Sequence, residues 1–214
     1  MDTAVALVKS YLELCGYFVL AELPVQAKDG EAYRDVTDLD VVAVRFPHVP
    51  LAGSRRAAGP LEVLLGTDPA LGTFEDGVDV VIGEVKEGHA RINPALRRDE
   101  TIAFALRRLG CCPEQRIDEE ARMVRLGGSR ELSMPGEVRC RVRLVAFAGH
   151  GVASDHGVQT VSLGHCVDHV ANRLRQARDV LGGAQFKDPI LGLLALQDKL
   201  AIQTGSPVNS RSVG

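Results

Sequence analysis

The sequence predicts an α/β protein, a central mixed β-sheet flanked by helices, in the order α-β-β-β-α-β-β-α. Three observations predict it. Apolar residues recur at helical spacing in the first fifteen positions and again after residue 93. Between and beyond these stretches lie short runs rich in valine and isoleucine, which suit buried strands. With 45% apolar and 25% charged residues in 214 positions, the chain has the composition of a globular domain large enough for a real core. Tryptophan is absent and aromatics make up 4%, so that core must be built from Val, Leu, Ile and Ala.

The elements follow in order. Residues 3–15 read as an amphipathic helix: Val5, Val8, Leu12 and Cys15 form the stripe, Leu7, Tyr11 and Leu14 widen it, and Gly16 stops it. Residues 17–25, "YFVLAELPV", read as a first strand, and "KDGEAYRD" after it as a turn or loop. Residues 36–46, "VTDLDVVAVRF", read as a second strand ended by Pro47. From 47 to 77 the pattern loosens into an inserted loop, whose "PHVPLAGSRRAAGP" carries three prolines and two glycines. Residues 78–88, "VDVVIGEVKEG", resume as a third strand. Residues 93–110 read as a helix capped by Asn93, with Pro94 in its first position and Gly110 closing it. "ARMVRLG" at 121–127 reads as a strand beside "RVRLVAFAG" at 141–149, and "VQTVSLG" as another. Two helices, 165–181 and 189–200, precede a loose tail at 204–214. Residues 1–203 thus form a single domain.

The same composition restricts function. A net charge of −3 argues against a surface that coats nucleic acid everywhere and leaves room for a local basic face. Five cysteines, with Cys111 and Cys112 adjacent and no CxxC pair, resemble no disulfide framework and read as reduced thiols of a cytoplasmic protein. The apolar N-terminal stretch is broken by Lys9 and Glu13, unlike a signal peptide. "PILGLLAL" is too short to span a bilayer, so no membrane partner is expected.

One stretch breaks the pattern. In "DVVIGEVKEG" an apolar strand suddenly presents Glu84 and Lys86, and strand alternation puts both on one face with Val85 on the other. On the preceding strand, Asp38 and Asp40 share a face while Leu39 and Val41 take the other. If the strands are neighbours, carboxylates and an ammonium meet at one point. Hard oxygen donors of this kind hold Mg²⁺ or Mn²⁺. A lysine beside them can orient or deprotonate a water and balance negative charge. The plain alternative is a surface ion pair on an edge strand, of little energetic value.

The element order, "TDLDVVAV" and "GEVKEG" together resemble the PD-(D/E)XK nuclease superfamily, over residues 1 to about 165. The resemblance implies a restriction-endonuclease-like fold and metal-dependent hydrolysis of phosphodiester bonds in DNA, as endonuclease or exonuclease. It carries over Asp40 and Glu84 as catalytic metal ligands, Lys86 as the catalytic lysine, and Glu13 in the first helix as a helper ligand for Mg²⁺ or Mn²⁺. Leu39 stands where the name motif has proline, and the Asp40-to-Glu84 separation is long. Arg91, Arg97 and Arg98, in and before the helix after the third strand, are the nearest candidates for DNA phosphates, and cutting two strands suits a homodimer. A degenerate relative that binds nucleic acid or a protein without cleaving is the alternative. "HCVDH" at 165–169 offers ligand types at helical spacing, but one short segment lacks the four ligands of a structural zinc site. It reads instead as a helix start with Cys166 in the core.

Overall fold

The computed structural model describes residues 1–29, 32–48, 60–89, 93–134, 136–150, 157–181 and 184–200. Among these, six strands form one open mixed sheet with helices on both faces. Helix α1 (Thr3–Leu14) opens the chain, its N-terminus capped by the Asp2 carboxylate accepting from the Ala4 N–H. Strands β1 (Phe18–Asp29) and β2 (Ala32–Arg45) form a long antiparallel hairpin, and β3 (Val78–His89) pairs antiparallel with β2. Helix α2 (Pro60–Leu64) lies between β2 and β3. Helices α3 (Asp99–Leu109) and α4 (Ile117–Gly127) then lead to β4 (Ser129–Met134) and β5 (Val138–His150). Strand β5 lies parallel to β3. Its other edge is shared by β4, antiparallel, and by β6 (Gln159–Ser162), parallel. Helices α5 (Leu163–Gln176), α6 (Arg178–Leu181) and α7 (Pro189–Lys199) close the described chain.

Alternation along the central strands splits the core in two. Val41, Ala43, Val81, Val85 and Phe147 face α1, α5 and α7, while Val42, Val80, Ile82, Val142 and Leu144 face α3 and α4. Strand β3 is therefore central and buried on both faces, not an edge. Gly83 permits one close approach. A Cβ there would lie 2.4 Å from Val41 Cγ2 and 3.0 Å from Phe147 Cε2. The five cysteines are free and buried, as their count suggested. Among the described residues no helix is long and apolar enough to cross a membrane.

Several sequence expectations need correction. Residues 121–127 are helical, because Ile117, Ala121 and Val124 form a buried stripe at helical spacing. Asp118, Glu119 and Glu120 favour the positive end of that helix, and Gly128 in the left-handed region ends it. The strand expected there begins at Ser129. The helix expected from residue 93 starts at Asp99, since Asn93 Oδ1 accepts from Ala95 N–H at 2.9 Å and caps a separate turn. Residues 28–29 and 32–35, expected as a loop, continue the hairpin, with ladder pairing out to Asp29↔Ala32. Within the inserted loop, residues 65–77 are tied down rather than loose. Residues 49–59 and the tail 204–214 lie outside the described residues.

The tie is a buried polar network. Asp79, fully buried, accepts from Tyr17 Oη at 2.6 Å, from Phe74 N at 3.0 Å, and from the guanidiniums of Arg141 and Arg143. Arg143 Nη1 also donates to Leu71 O at 2.7 Å, and Gln159 Nε2 to Ala70 O at 2.6 Å. Arg139, Arg141 and Arg143, which alternate along β5, are thus engaged within the chain, Arg139 with Glu131 and Asp76.

Candidate active site

The pairing of β2 with β3 ends at Val41↔Gly83. Beyond it β2 continues along β1, while β3 continues along β5 to His89. The two strands part at this point and leave a fork in the sheet. Asp40, Glu84 and Lys86 occupy it.

Asp40 fills the fork itself. Its Oδ2 accepts from the Val85 N–H at 2.7 Å, taking the place of a ladder partner. The alternation read from the sequence fails here. Leu39 packs with the α3/α4 side and Val41 with the α1 side, although a regular strand would put both on one face. On β1, Glu22 lies between the residues paired with Leu39 and Val41 and has φ 52°, a left-handed backbone unusual for a side-chain-bearing residue. The local twist turns Asp40 toward β3. Asp38 is exposed and does not follow it.

Glu84 alternates with Ile82 and points to the α3/α4 side, its side chain 4% exposed. Lys86 Nζ lies 2.5 Å from Glu84 Oε1 and is 43% exposed, so the pair runs from the interior to the surface. The Asn93 backbone N–H lies near enough to the Glu84 carboxylate to favour its charged form. Burial pushes the Glu84 carboxyl above its usual range. The Asp40 charge adds to that push, and Lys86 and Asn93 only partly offset it. For Lys86, burial disfavours the ammonium, but Glu84, with Asp40 behind it, outweighs burial and holds the pKa above the ordinary lysine value. The lysine is thus firmly protonated and the glutamate is a strained carboxylate.

Of the other expected residues, Arg97 is half-buried and Arg98 is exposed at the N-cap of α3, four and five positions beyond Asn93. Arg91 lies outside the described residues. Glu13 is not brought to the fork. Its Oε1 is 2.7 Å from Lys9 Nζ, one helical turn away, and α1 packs on the sheet face opposite Glu84. Its place in the first helix is as expected; the helix approaches from the other side.

A second polar centre lies on that other side. Asp68, His165 and His169 converge beneath α1, with Tyr11 donating to Asp68. The four-residue spacing of the histidines was visible in the sequence, whereas Asp68, inside the inserted loop, carried no local signal. Cys166 is fully buried in the core, as expected. Comparison of the chain with protein-family models, with curated proteins and with solved structures finds no match in any of the three.

Proposed function

We propose that the chain is a metal-dependent nuclease of the PD-(D/E)XK superfamily, with a restriction-endonuclease-like fold, hydrolysing phosphodiester bonds of DNA. The observation that carries this reading is the convergence of Asp40, Glu84 and Lys86 at the fork between β2 and β3. A surface ion pair on an edge strand does not account for a 4% exposed glutamate on a central strand. The topology is compatible: three antiparallel strands, then a helical crossover to a strand parallel to the third.

The residues fit a hard divalent cation. Burial, with the charge of Asp40 acting on it, raises the Glu84 pKa. A cation would relieve both costs. Asp40 and Glu84 would hold Mg²⁺ or Mn²⁺. When bound, such an ion supplies Lewis-acid polarisation of the phosphoryl oxygen and a more acidic water. The Val85 N–H fixes the direction of Asp40, and the Lys86 ammonium holds Glu84. Lys86, protonated and half-exposed at the rim, is placed to orient the attacking water by donation. Its ammonium balances the charge that grows on the phosphoryl oxygens. Its elevated pKa favours this electrostatic part over removal of a proton. Arg97 and Arg98 extend positive charge from the fork and would take the DNA backbone. A second copy of the chain would supply the cut in the opposite strand.

The test is incubation of the full chain with plasmid and branched DNA in Mg²⁺, Mn²⁺ or EDTA. Metal-dependent nicking that Asp40→Asn removes is expected. Binding of DNA without cleavage under every condition would instead favour the degenerate, non-cleaving reading.

A further inference from the structure

The second polar centre has a donor set of a different kind. Asp68 Oδ2 lies 2.6 Å from His165 Nε2 and 3.4 Å from His169 Nδ1. One ligand atom from each residue lies within 4.8 Å of the others. In a tetrahedral site with ligand bonds of about 2.0–2.1 Å, neighbouring donor atoms stand about 3.3 Å apart. The observed separations bracket that value, so small side-chain rotations bring all three donors onto one sphere.

The centre is also pre-arranged. His165 and His169 are four residues apart on α5 and share a face. Ser162 caps α5, its Oγ accepting from the His165 N–H at 3.0 Å. Asp68 Oδ1 accepts from the Ala70 N–H at 2.9 Å, leaving Oδ2 for the histidines and for Tyr11 Oη at 2.7 Å. The loop behind Asp68 is clamped on both sides. Arg143 and Gln159 hold the carbonyls of Leu71 and Ala70, and Arg173 holds those of Leu64 and Leu65 at 2.8 and 2.6 Å. The far nitrogen of His169 faces the buried Cys15 Sγ at 4.0 Å. Partners of this kind orient ligands in metal centres. Asp68 is buried, His169 is half-buried and His165 is 40% exposed, so one side of the cluster opens to solvent.

We propose that Asp68, His165 and His169 form a second metal site, selective for a borderline divalent cation of the Zn²⁺ class. Two imidazoles and one carboxylate suit such ions, whereas Mg²⁺ demands oxygen donors and retains its waters. Three protein ligands leave at least one position for water or a ligand at the open His165 side. The site is independent of the fork, which lies on the opposite face of the sheet and offers only carboxylates.

The test is metal binding by the full chain, stripped with chelator and dialysed. Zn²⁺ is titrated by calorimetry against a competing chelator, and Co²⁺ by its visible absorption. Wild type and Glu84→Gln should each bind one equivalent of Zn²⁺. His165→Asn and His169→Ala should weaken it at least about 100-fold, beyond the 10–100-fold that loss of an outer partner costs. His165→Asn changes the most exposed ligand, and its melting curve in chelator establishes that it remains folded. Mg²⁺ should not compete at millimolar concentration. Equal Zn²⁺ affinity in wild type and both histidine variants, or displacement of Zn²⁺ by millimolar Mg²⁺, would overturn the proposal and leave a hydrogen-bonded network.

Discussion

Replacing Glu84 by glutamine should make the metal-free protein more stable while abolishing the proposed nuclease activity. A functional carboxylate and a structural one behave oppositely here. The side chain is 4% exposed, accepts from Lys86, and has Asp40 as a like-charged neighbour. Its folded pKa is raised, so the folded state prefers the neutral form. Glutamine is neutral and nearly isosteric. It loses the ion pair with Lys86, but that lysine is 43% exposed, and pairs of this kind contribute only about 0–1 kcal/mol. Removal of the buried charge outweighs that loss. A net gain of about 1 kcal/mol corresponds to a Tm increase of roughly 2–4 °C for a chain of this size.

The pH dependence follows from the sign of the shift. A raised folded pKa means that wild type loses stability as pH rises from the unfolded glutamate value, about 4.3, through the folded one. The Glu84→Gln advantage should therefore vanish below about pH 4 and grow as pH rises above it. Thermal unfolding in EDTA across this range reads it directly. Saturating Mn²⁺ should reverse the order, because an ion at 100 times its Kd adds about 2.7 kcal/mol to wild type alone. A variant that melts below wild type in EDTA at pH 7.5, or a difference that ignores pH, would refute the reasoning. Glu84 and Lys86 would then be a structural pair.

Lys86→Ala should leave Mn²⁺ affinity intact while nicking falls by ~10²-fold or more, with little rescue by Lys86→Arg; comparing rates and affinities on one preparation checks this. Gly83→Ala should cost about 1–3 kcal/mol in thermal unfolding, because its Cβ would press on Val41 and Phe147 from a strand buried on both sides. Asp79→Asn should cost about 3–5 kcal/mol by denaturant unfolding, since it strands Arg143, only 4% exposed, without its counter-charge. Asp79 and Asp68 have lowered pKa values, Asp79 from Arg143 and Asp68 from Tyr11 and His165, each overcoming the opposing push of burial. Their stabilisation is present above the unfolded value near 4 and lost as pH falls through the folded values, so Tm should drop steeply in acid, and less steeply in Asp79→Asn.

Most elements were legible because their signals are local. The stripe of α1, the valine runs of β2 and β3 and the proline at the start of α7 each name their element within a dozen residues. The misses came where a local window was cut in the wrong place or where local cues compete. Starting at Ala121 hides Ile117, and without it the α4 stripe looks like alternation. Asn93 and Pro94 form a genuine start signal, but for a turn five residues ahead of α3. The clamped loop was invisible because its holders, Arg141, Arg143, Gln159 and Arg173, come from distant strands and a helix.

At the fork, period-two alternation carried Glu84 and Lys86 correctly and misled for Asp40. Its two apolar neighbours, Leu39 and Val41, pack on opposite faces of the sheet. Such a break can occur only where the twist changes abruptly, and there the side chain of the residue between them lies along the sheet rather than out of it. A carboxylate in that orientation reaches the Val85 N–H that the ended ladder leaves unpaired, one residue from Glu84. Had β2 stayed regular, the ladder would have claimed that N–H and Asp40 would have projected to one face. The irregular strand is thus what turns a second carboxylate toward β3, where Asp40 satisfies the Val85 N–H that the ended ladder leaves. The face that Glu84 takes by regular alternation keeps Glu13 out. The site opens toward Asn93 and the α3 side, and α1, held on the other face by Tyr11, Leu12 and Leu14, cannot reach it without crossing the sheet.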